Sequence, residues 1–326
     1  MSARRAIGVD LGGTKVLVGV VDSEREVHYR STESTRDRSG DEVLAVLERE
    51  LAAALDAAPD AVGIGLGIPA TIDRARGVAV SAVNLPLVDV PIRDLISERI
   101  GLPTALDNDA NVAALAEHRF GAARGARNAV MLTIGTGIGG GLILNGEVYR
   151  GSTGAGAELG HVVIDMNGPR CQGNCPNRGC VEALASGTAL GREGRAAARR
   201  VPDSALGRLD AAGEAIDGRA VTEAAIGGDQ TAVEVVATIG RRLGVAMSSL
   251  ANIFEPDMIV VGGGVSAAGE LLIGPARDEL RWRALPPQDE TPVVLAELGP
   301  DAGMYGAAAL ALAEVEATAP KASRGV

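Results

Sequence analysis

Residues 6–27 read AIGVDLGGTKVLVGVVDSEREV, and residues 129–149 read AVMLTIGTGIGGGLILNGEVY. Laid over one another, Asp10 falls on Thr133, Gly12 on Gly135, Thr14 on Gly137 and Asp22 on Asn145. Each copy is an apolar run, a glycine turn, a second apolar run, a polar turn and a third extended stretch. Runs of this length separated by turn residues predict three antiparallel strands in each copy. A unit repeated so far along the chain predicts two related domains rather than a solenoid. The glycine turn leads into another strand, whereas in a dinucleotide-binding unit it opens straight into a helix. DLGGTK at 10–15 also lacks the spacing of a Walker loop.

Around the two copies, strands and helices alternate, which predicts an α/β fold. Residues 41–57 carry helical apolar spacing behind an acidic first turn. AVGIGLGIP at 61–69 reads as a buried strand, PIRDLISERI at 91–100 as a helix and PTALDND at 103–109 as a strand entering a loop. ANVAALAEHRFGAA follows as a helix, with Gly121 after its end. Helices are expected over 182–200 and 221–253, then strands in DMIVVGGGVS and TPVVLAEL, and a last helix in AGMYGAAALALAEVEA. The expected division is an N-terminal domain of 1–119 plus 302–318, a C-terminal domain of 120–301 and a disordered tail at 319–326.

With 326 residues the chain can build two sizeable cores. Aromatic residues make up only 2%, so Ala, Val, Leu, Ile and Gly must fill them. The formal charge of −11 argues against a broad phosphate-backbone footprint, so no nucleic-acid partner is expected. No apolar run reaches the roughly 20 residues that span a bilayer, and the N-terminus does not read as a secretory signal. The expectation is a cytoplasmic protein with no membrane partner.

All three cysteines lie in HVVIDMNGPRCQGNCPNRGC, residues 161–180. An odd number of cysteines in a reducing compartment fits a disulfide framework poorly. Buried core cysteines would stand in apolar strands, whereas these stand among Gly, Pro, Asn and Arg. His161, Cys171, Cys175 and Cys180 make a four-ligand tetrahedral set suited to structural Zn²⁺.

Other residues point to phosphate and hydroxyl chemistry. Gly12 and Gly13 let the backbone approach an anion, Thr14 adds a hydroxyl and Lys15 a cation. Asp10 suits a hydrated Mg²⁺, which takes only one or two carboxylates. TIGTGIGGG at 133–141 supplies a second cluster of backbone N–H groups with Thr136 and Gly137. Two such turns, with Gly262, Gly263 and Gly264 as a third glycine run, favour a nucleotide polyphosphate over ordinary hairpins. LDNDAN at 106–111 places Asn108, Asp109 and Asn111 at a strand end and helix start. N-capping needs one of them. Asp109 is a candidate to accept a hydroxyl proton during phosphoryl transfer. Glu158 and His161 of ELGH, with Glu182 beyond Cys180, are the donors and acceptors a polyhydroxylated ligand requires.

Together these motifs resemble the ROK family of sugar kinases (repressor, ORF, kinase), within the actin/hexokinase/Hsp70 superfamily. The resemblance covers roughly residues 5–315, and the ordered set of motifs carries it. It implies two RNase-H-like domains around a cleft that closes on substrates, and ATP-dependent phosphorylation of a hexose at its 6-hydroxyl. Asp109 resembles the catalytic base, and Asn108, Glu158, His161 and Glu182 the sugar contacts. Asp10, Thr14 and Lys15 resemble the first phosphate motif, Thr136 and Gly137 the second, and Gly262, Gly263 and Gly264 the adenosine loop. His161, Cys171, Cys175 and Cys180 resemble the zinc ligands, and relatives are often dimers or tetramers, so a homo-oligomer is expected.

The set looks glucose-specific, with fructose, mannose, N-acetylglucosamine and N-acetylmannosamine open, and polyphosphate an alternative donor. The sequence departs from the family at two places. Gln172, Gly173 and Asn174 separate the first two cysteines where a single residue is common, and Ala70 stands where many relatives have Gly. A repressor of this family would need a DNA-binding extension before the first strand, which here starts near Ala6. A catalytically silent sugar sensor is the remaining alternative, and an intact Asp109 argues against it.

Overall fold

The computed structural model describes residues 3–82 and 84–318, so the tail expected at 319–326 lies outside the described residues. The chain divides into two compact units. One comprises Met1–Arg124, Arg150–Gly156 and Pro300–Val326, the other Gly125–Tyr149 and Ala157–Gly299.

The first unit begins β1 (Arg5–Leu11), β2 (Lys15–Asp22), β3 (Val27–Ser34), α1 (Gly40–Ala57) and β4 (Ile64–Ile68). It continues with β5 (Ala70–Asp73), β6 (Val78–Ala82), β7 (Val88–Val90), α2 (Ile92–Ile100), β8 (Thr104–Asn108) and α3 (Asp109–Phe120). The second unit holds β9 (Ala129–Ile134), β10 (Ile138–Leu144), β11 (Glu147–Val148), α4 (Val181–Ala185), α5 (Gly187–Arg200) and α6 (Ala205–Ala211). It goes on through α7 (Gly218–Ile226), α8 (Gln230–Phe254), β12 (Met258–Gly262), α9 (Glu270–Arg283) and β13 (Val293–Leu295). The chain then returns to the first unit as α10 (Ala302–Thr318).

The two main sheets are copies of one RNase-H-like plan. Their strand orders are β3-β2-β1-β4-β8 and β11-β10-β9-β12-β13. In each, the first three strands in sequence are antiparallel and the outer two join in parallel. The registers correspond as well: Asp10 pairs with Gly67 on the parallel side, and Thr133 with Gly262. The expected α/β architecture with a duplicated strand–turn–strand unit is therefore what the chain forms.

Small residues replace aromatic bulk in the packing. Helix α1 starts in a capping box: the Glu42 N–H donates to the Ser39 hydroxyl at 3.3 Å, and the Ser39 N–H to the Glu42 carboxylate at 2.7 Å. It buries Val43, Val46, Leu47, Leu51 and Ala54. Gly306 of α10 lies so close to the Val112 carbonyl of α3 that a Cβ has no room, and Gly65 of β4 meets Ala307 in the same way. These bare backbones let an alanine-rich helix lie directly on the sheet. In the second unit, Leu243, Met247 and Ile273 are fully buried in one apolar cluster.

A small sheet and two helices go beyond the sequence reading. β5, β6 and β7 form a separate three-stranded antiparallel sheet, α6 stands between the expected helices, and α9 is a helix of 14 residues with Pro275 inside it. Among the described residues, no helix is long and apolar enough to cross a membrane.

Candidate functional site

In the first unit the candidate residues come from the C-terminal ends of two strands, the central β1 and the edge strand β8. Asp10 lies near the end of β1, and the turn closes with the Gly12 N–H on the Lys15 carbonyl at 2.9 Å. Thr35 holds this turn from the side, its hydroxyl donating to the Gly12 carbonyl at 2.7 Å and its N–H to that of Thr14 at 3.1 Å. Gly13 packs against Asn84, leaving no space for a side chain. Thr14 and Lys15 stay exposed. Asn108 caps α3, its Oδ1 accepting the Ala110 N–H at 2.9 Å while its amide donates to the Ala70 carbonyl at 3.3 Å. Asp109 is the first residue of α3, and its Oδ1 also accepts the Ala110 N–H at 2.9 Å.

Asp10 feels Asp109 directly. Burial first, then the charge of Asp109, with a smaller push from Asp301, raises the Asp10 carboxyl to about 6, against the pull of Lys15. A carboxylate held up by other carboxylates is a place where a divalent cation relieves repulsion. The residues therefore fit a divalent cation such as Mg²⁺.

In the second unit, the turn equivalent to the first carries exposed Thr136 and half-buried Gly137. It closes with the Gly135 N–H on the Gly137 carbonyl at 2.9 Å. Beside it opens a cavity of about 640 Å³ lined by Gly135, Thr136, Gly264 and Val265. Gly187, Thr188, Gly191 and Arg195 of α5 form another wall, and Gly218, Thr222 and Ile226 of α7 a third. Glycine inside a helix is unfavourable by roughly 1 kcal/mol, and here bare backbone widens the space. The first turns of both helices line the cavity, bringing two positive helix-dipole ends to it. Of the glycines expected to touch adenosine, Gly264 lines the cavity. Gly263 has φ of 87° and packs against Ile134, shaping the loop from behind. The α5 and α7 residues escaped the sequence reading. Their signal was the repeated glycine at 187, 191 and 194 inside a predicted helix.

The cysteine loop folds back on itself. The Cys171 N–H donates to the Asn177 carbonyl at 3.0 Å, and Val163 bridges to Cys180. The donor atoms of His161, Cys171, Cys175 and Cys180 all lie within 4.8 Å of one another. Cys171 Sγ is 3.5 Å from His161 Nδ1, and Cys175 Sγ is 3.9 Å from Cys180 Sγ. Tetrahedral zinc with bonds of ~2.3 Å to sulfur and ~2.05 Å to nitrogen separates its ligands by ~3.5–3.8 Å, so the residues fit the ion. The longer excursion at Gln172–Asn174 still brings Cys171 to the group. Burial and the packing of sulfurs against one another push the Cys171 and Cys180 thiols up, a cost that a bound dication reverses.

Of the residues expected to meet a sugar, His161 belongs to this cluster, and Glu158 and Glu182 lie beside it. His161 turns Nδ1 to Cys171 and Nε2 to the exposed Glu158, whose Oε2 is 4.0 Å away. Glu182 is half-buried. Its Oε2 accepts the Ile138 N–H at 2.9 Å, and its Oε1 faces Cys171 Sγ at 3.7 Å. A Cβ at Gly137 would displace the Glu182 carboxylate from its present place.

Comparison with known proteins gives a consistent answer. The pattern that defines the ROK family matches residues 6–314. A glucokinase of Thermotoga maritima is 38% identical over 312 residues, which are 95% of this chain and 98% of that protein. The crystal structure of a ROK family glucokinase from Streptomyces griseus in complex with glucose and AMPPNP superposes with a TM-score of 0.83. It has 35% identity and covers 95% of this chain and 99% of that one. A xylose repressor of Bacillus spizizenii is 29% identical over 85% of this chain and 65% of its own.

Proposed function

This chain belongs to the ROK family, and from that premise we propose that it is a sugar kinase transferring the γ-phosphoryl group of ATP to the 6-hydroxyl of glucose. The observation that carries the reading is the acidic pair in the first unit. Asp109 stands at the head of α3, close enough to raise the carboxyl of Asp10. One carboxylate of such a pair can take a proton while the other serves a cation. The glucokinase relatives at 35–38% identity support glucose as the substrate, and the Streptomyces griseus complex with glucose and AMPPNP supports ATP as the donor.

Asp109 accepts the proton of the 6-hydroxyl as that oxygen attacks the γ-phosphorus, and ADP leaves with the electron pair of the broken P–O bond. Asn108 orients the hydroxyl beside it. The turns at Gly12–Lys15 and Gly135–Gly137 present N–H groups to the phosphates, and the cavity takes the adenosine. Asp10 would hold Mg²⁺, which supplies charge neutralisation on the β- and γ-phosphates. Glu158, His161 and Glu182 recognise the sugar hydroxyls. His161, Cys171, Cys175 and Cys180 would hold a structural Zn²⁺ that keeps the loop ordered.

Three free cysteines fit a reducing, cytoplasmic setting. Trp282 in the last turn of α9 and Leu285 just beyond it, 75% and 66% exposed, offer apolar surface for a homo-oligomer, as does Ile253 near the end of α8. The test is ADP release from Mg·ATP with glucose, mannose, fructose, N-acetylglucosamine and N-acetylmannosamine in parallel. Polyphosphate replaces ATP in a second series. Glucose-dependent turnover from ATP supports the reading. Sugar binding without turnover from either donor would favour a sensor.

A further inference from the structure

The excursion that sets this cysteine loop apart does more than lengthen it. Gln172 Nε2 donates to the Ser186 hydroxyl at 3.1 Å and approaches the Thr136 carbonyl at 3.4 Å. Thr136 lines the nucleotide cavity, and Ser186 immediately precedes Gly187 and Thr188 of its wall. Ser186, fully buried, caps α5 by accepting the Ala189 N–H at 3.3 Å. Thr136 belongs to the phosphate turn, and its carbonyl also takes the Thr188 hydroxyl at 2.9 Å. The Gly187 N–H closes the same seam on the Gly135 carbonyl at 2.8 Å. Gln172 thus reaches from the cysteine loop to the line where the turn and α5 meet. Glu182 holds the other side of the turn through the Ile138 N–H, with its second oxygen against Cys171.

We propose that Gln172, with Glu182, is a positioning residue that couples the metal loop to the nucleotide cavity, so that this chain binds adenine nucleotide more tightly when the loop holds its metal. The inference rests on the kinase reading and on the ligand set His161, Cys171, Cys175 and Cys180. Gln172 is adjacent to a ligand and is followed by Gly173 at φ of 57°, so the ligated thiolate adds to the Cys171 N–H on the Asn177 carbonyl in fixing where it starts. Released from the metal, the Cys171–Cys175 stretch samples many conformations, and nucleotide binding must bear the cost of ordering it. Coupling of this kind is reciprocal, so bound nucleotide must slow loss of the metal by the same factor.

The experiment is calorimetric titration of ADP into zinc-replete wild type, chelator-stripped wild type, Gln172→Ala and Gln172→Glu, with zinc content measured on each. Gln172→Glu keeps the length but removes the amide donor and sets a carboxylate against the Thr136 carbonyl. Stripping and either substitution should each weaken ADP binding on the order of five- to tenfold, the low end of ordinary coupling between sites. Both variants should retain zinc and glucose affinity. Stripping Gln172→Ala should weaken ADP little further, since the two changes remove one interaction. Saturating ADP should slow zinc extraction from wild type and leave extraction from Gln172→Ala unchanged. Equal ADP affinity in replete and stripped wild type, or in wild type and Gln172→Ala, overturns the coupling while leaving the kinase reading intact. A wild type that binds no ADP overturns both, and a purified chain without stoichiometric zinc overturns the metal assignment and the coupling together.

Discussion

The Nε of Arg150 donates to Oδ2 of Asp107 at 2.5 Å, a pair in which the carboxylate is 3% exposed. Asp107 immediately precedes Asn108 and Asp109, and its other oxygen takes the Asn108 N–H and the Asn111 amide, each at 2.9 Å. Arg150 opens the short Arg150–Gly156 segment that belongs to the first unit. The segment thus begins with an ion pair to a buried carboxylate two residues before the candidate base. Arg150→Met should destabilise the protein by about 3 kcal/mol, because it strands a buried carboxylate. Arg74, 3.8 Å from Asp107, keeps the loss from growing larger. Urea unfolding checks the stability, and kcat should fall with KM for glucose nearly unchanged.

Asp109→Asn keeps the shape and the helix-capping position but cannot take a proton. The expected result is a loss of about 10²–10⁴ in kcat, the usual contribution of a general base. Glucose affinity, read by calorimetry, should change little. A variant retaining wild-type turnover would remove Asp109 from the mechanism.

Asp10 predicts opposite pH trends for stability and activity. Its folded carboxyl, at about 6, lies above the ordinary value of 3.8. Between those two values the folded state binds more protons than the unfolded one, so the Asp10 contribution to stability falls as pH rises from about 4 to 6 and stays low above that. Asp10→Asn should therefore raise Tm at pH 8 and have little effect at pH 4. Activity needs the ionised form, so kcat/KM for Mg·ATP should decline as pH drops through about 6. A pH-independent effect of Asp10→Asn on Tm would contradict this.

Gly191 tests the cavity. A Cβ there would meet the Asp217 and Gly218 backbone at 3.0–3.1 Å, across the wall of the cavity. Gly191→Ala gains about 1 kcal/mol of helix propensity, so Tm should not fall. KM for ATP should still rise several-fold, with KM for glucose unchanged. Equal effects on both substrates would mean that the cavity is not the nucleotide site.

The duplicated hairpins were legible because a glycine turn between two apolar runs is a local signal, and its recurrence at Asp10 and Thr133 needed no contact information. The cysteine loop was legible for the same reason: three cysteines stood together downstream of His161 in a chain with no other cysteine. Helix α9 was hidden by Gly274 and Pro275, which read as a break although the flanking Leu272, Ile273, Ala276 and Leu280 bury one face. Strands β5–β7 run only three to five residues, too short for a period to show. The hold of Glu182 on Ile138 and that of Arg150 on Asp107 join residues more than 40 apart, which no local pattern reveals.

ADP release from Mg·ATP with glucose, run on wild type and Asp109→Asn side by side, tests the central claim most directly. Glucose-dependent turnover in wild type that falls at least a hundredfold in the variant, while glucose binding persists, is the expected result. No turnover with any hexose from ATP or polyphosphate, or equal turnover in the two proteins, would contradict it.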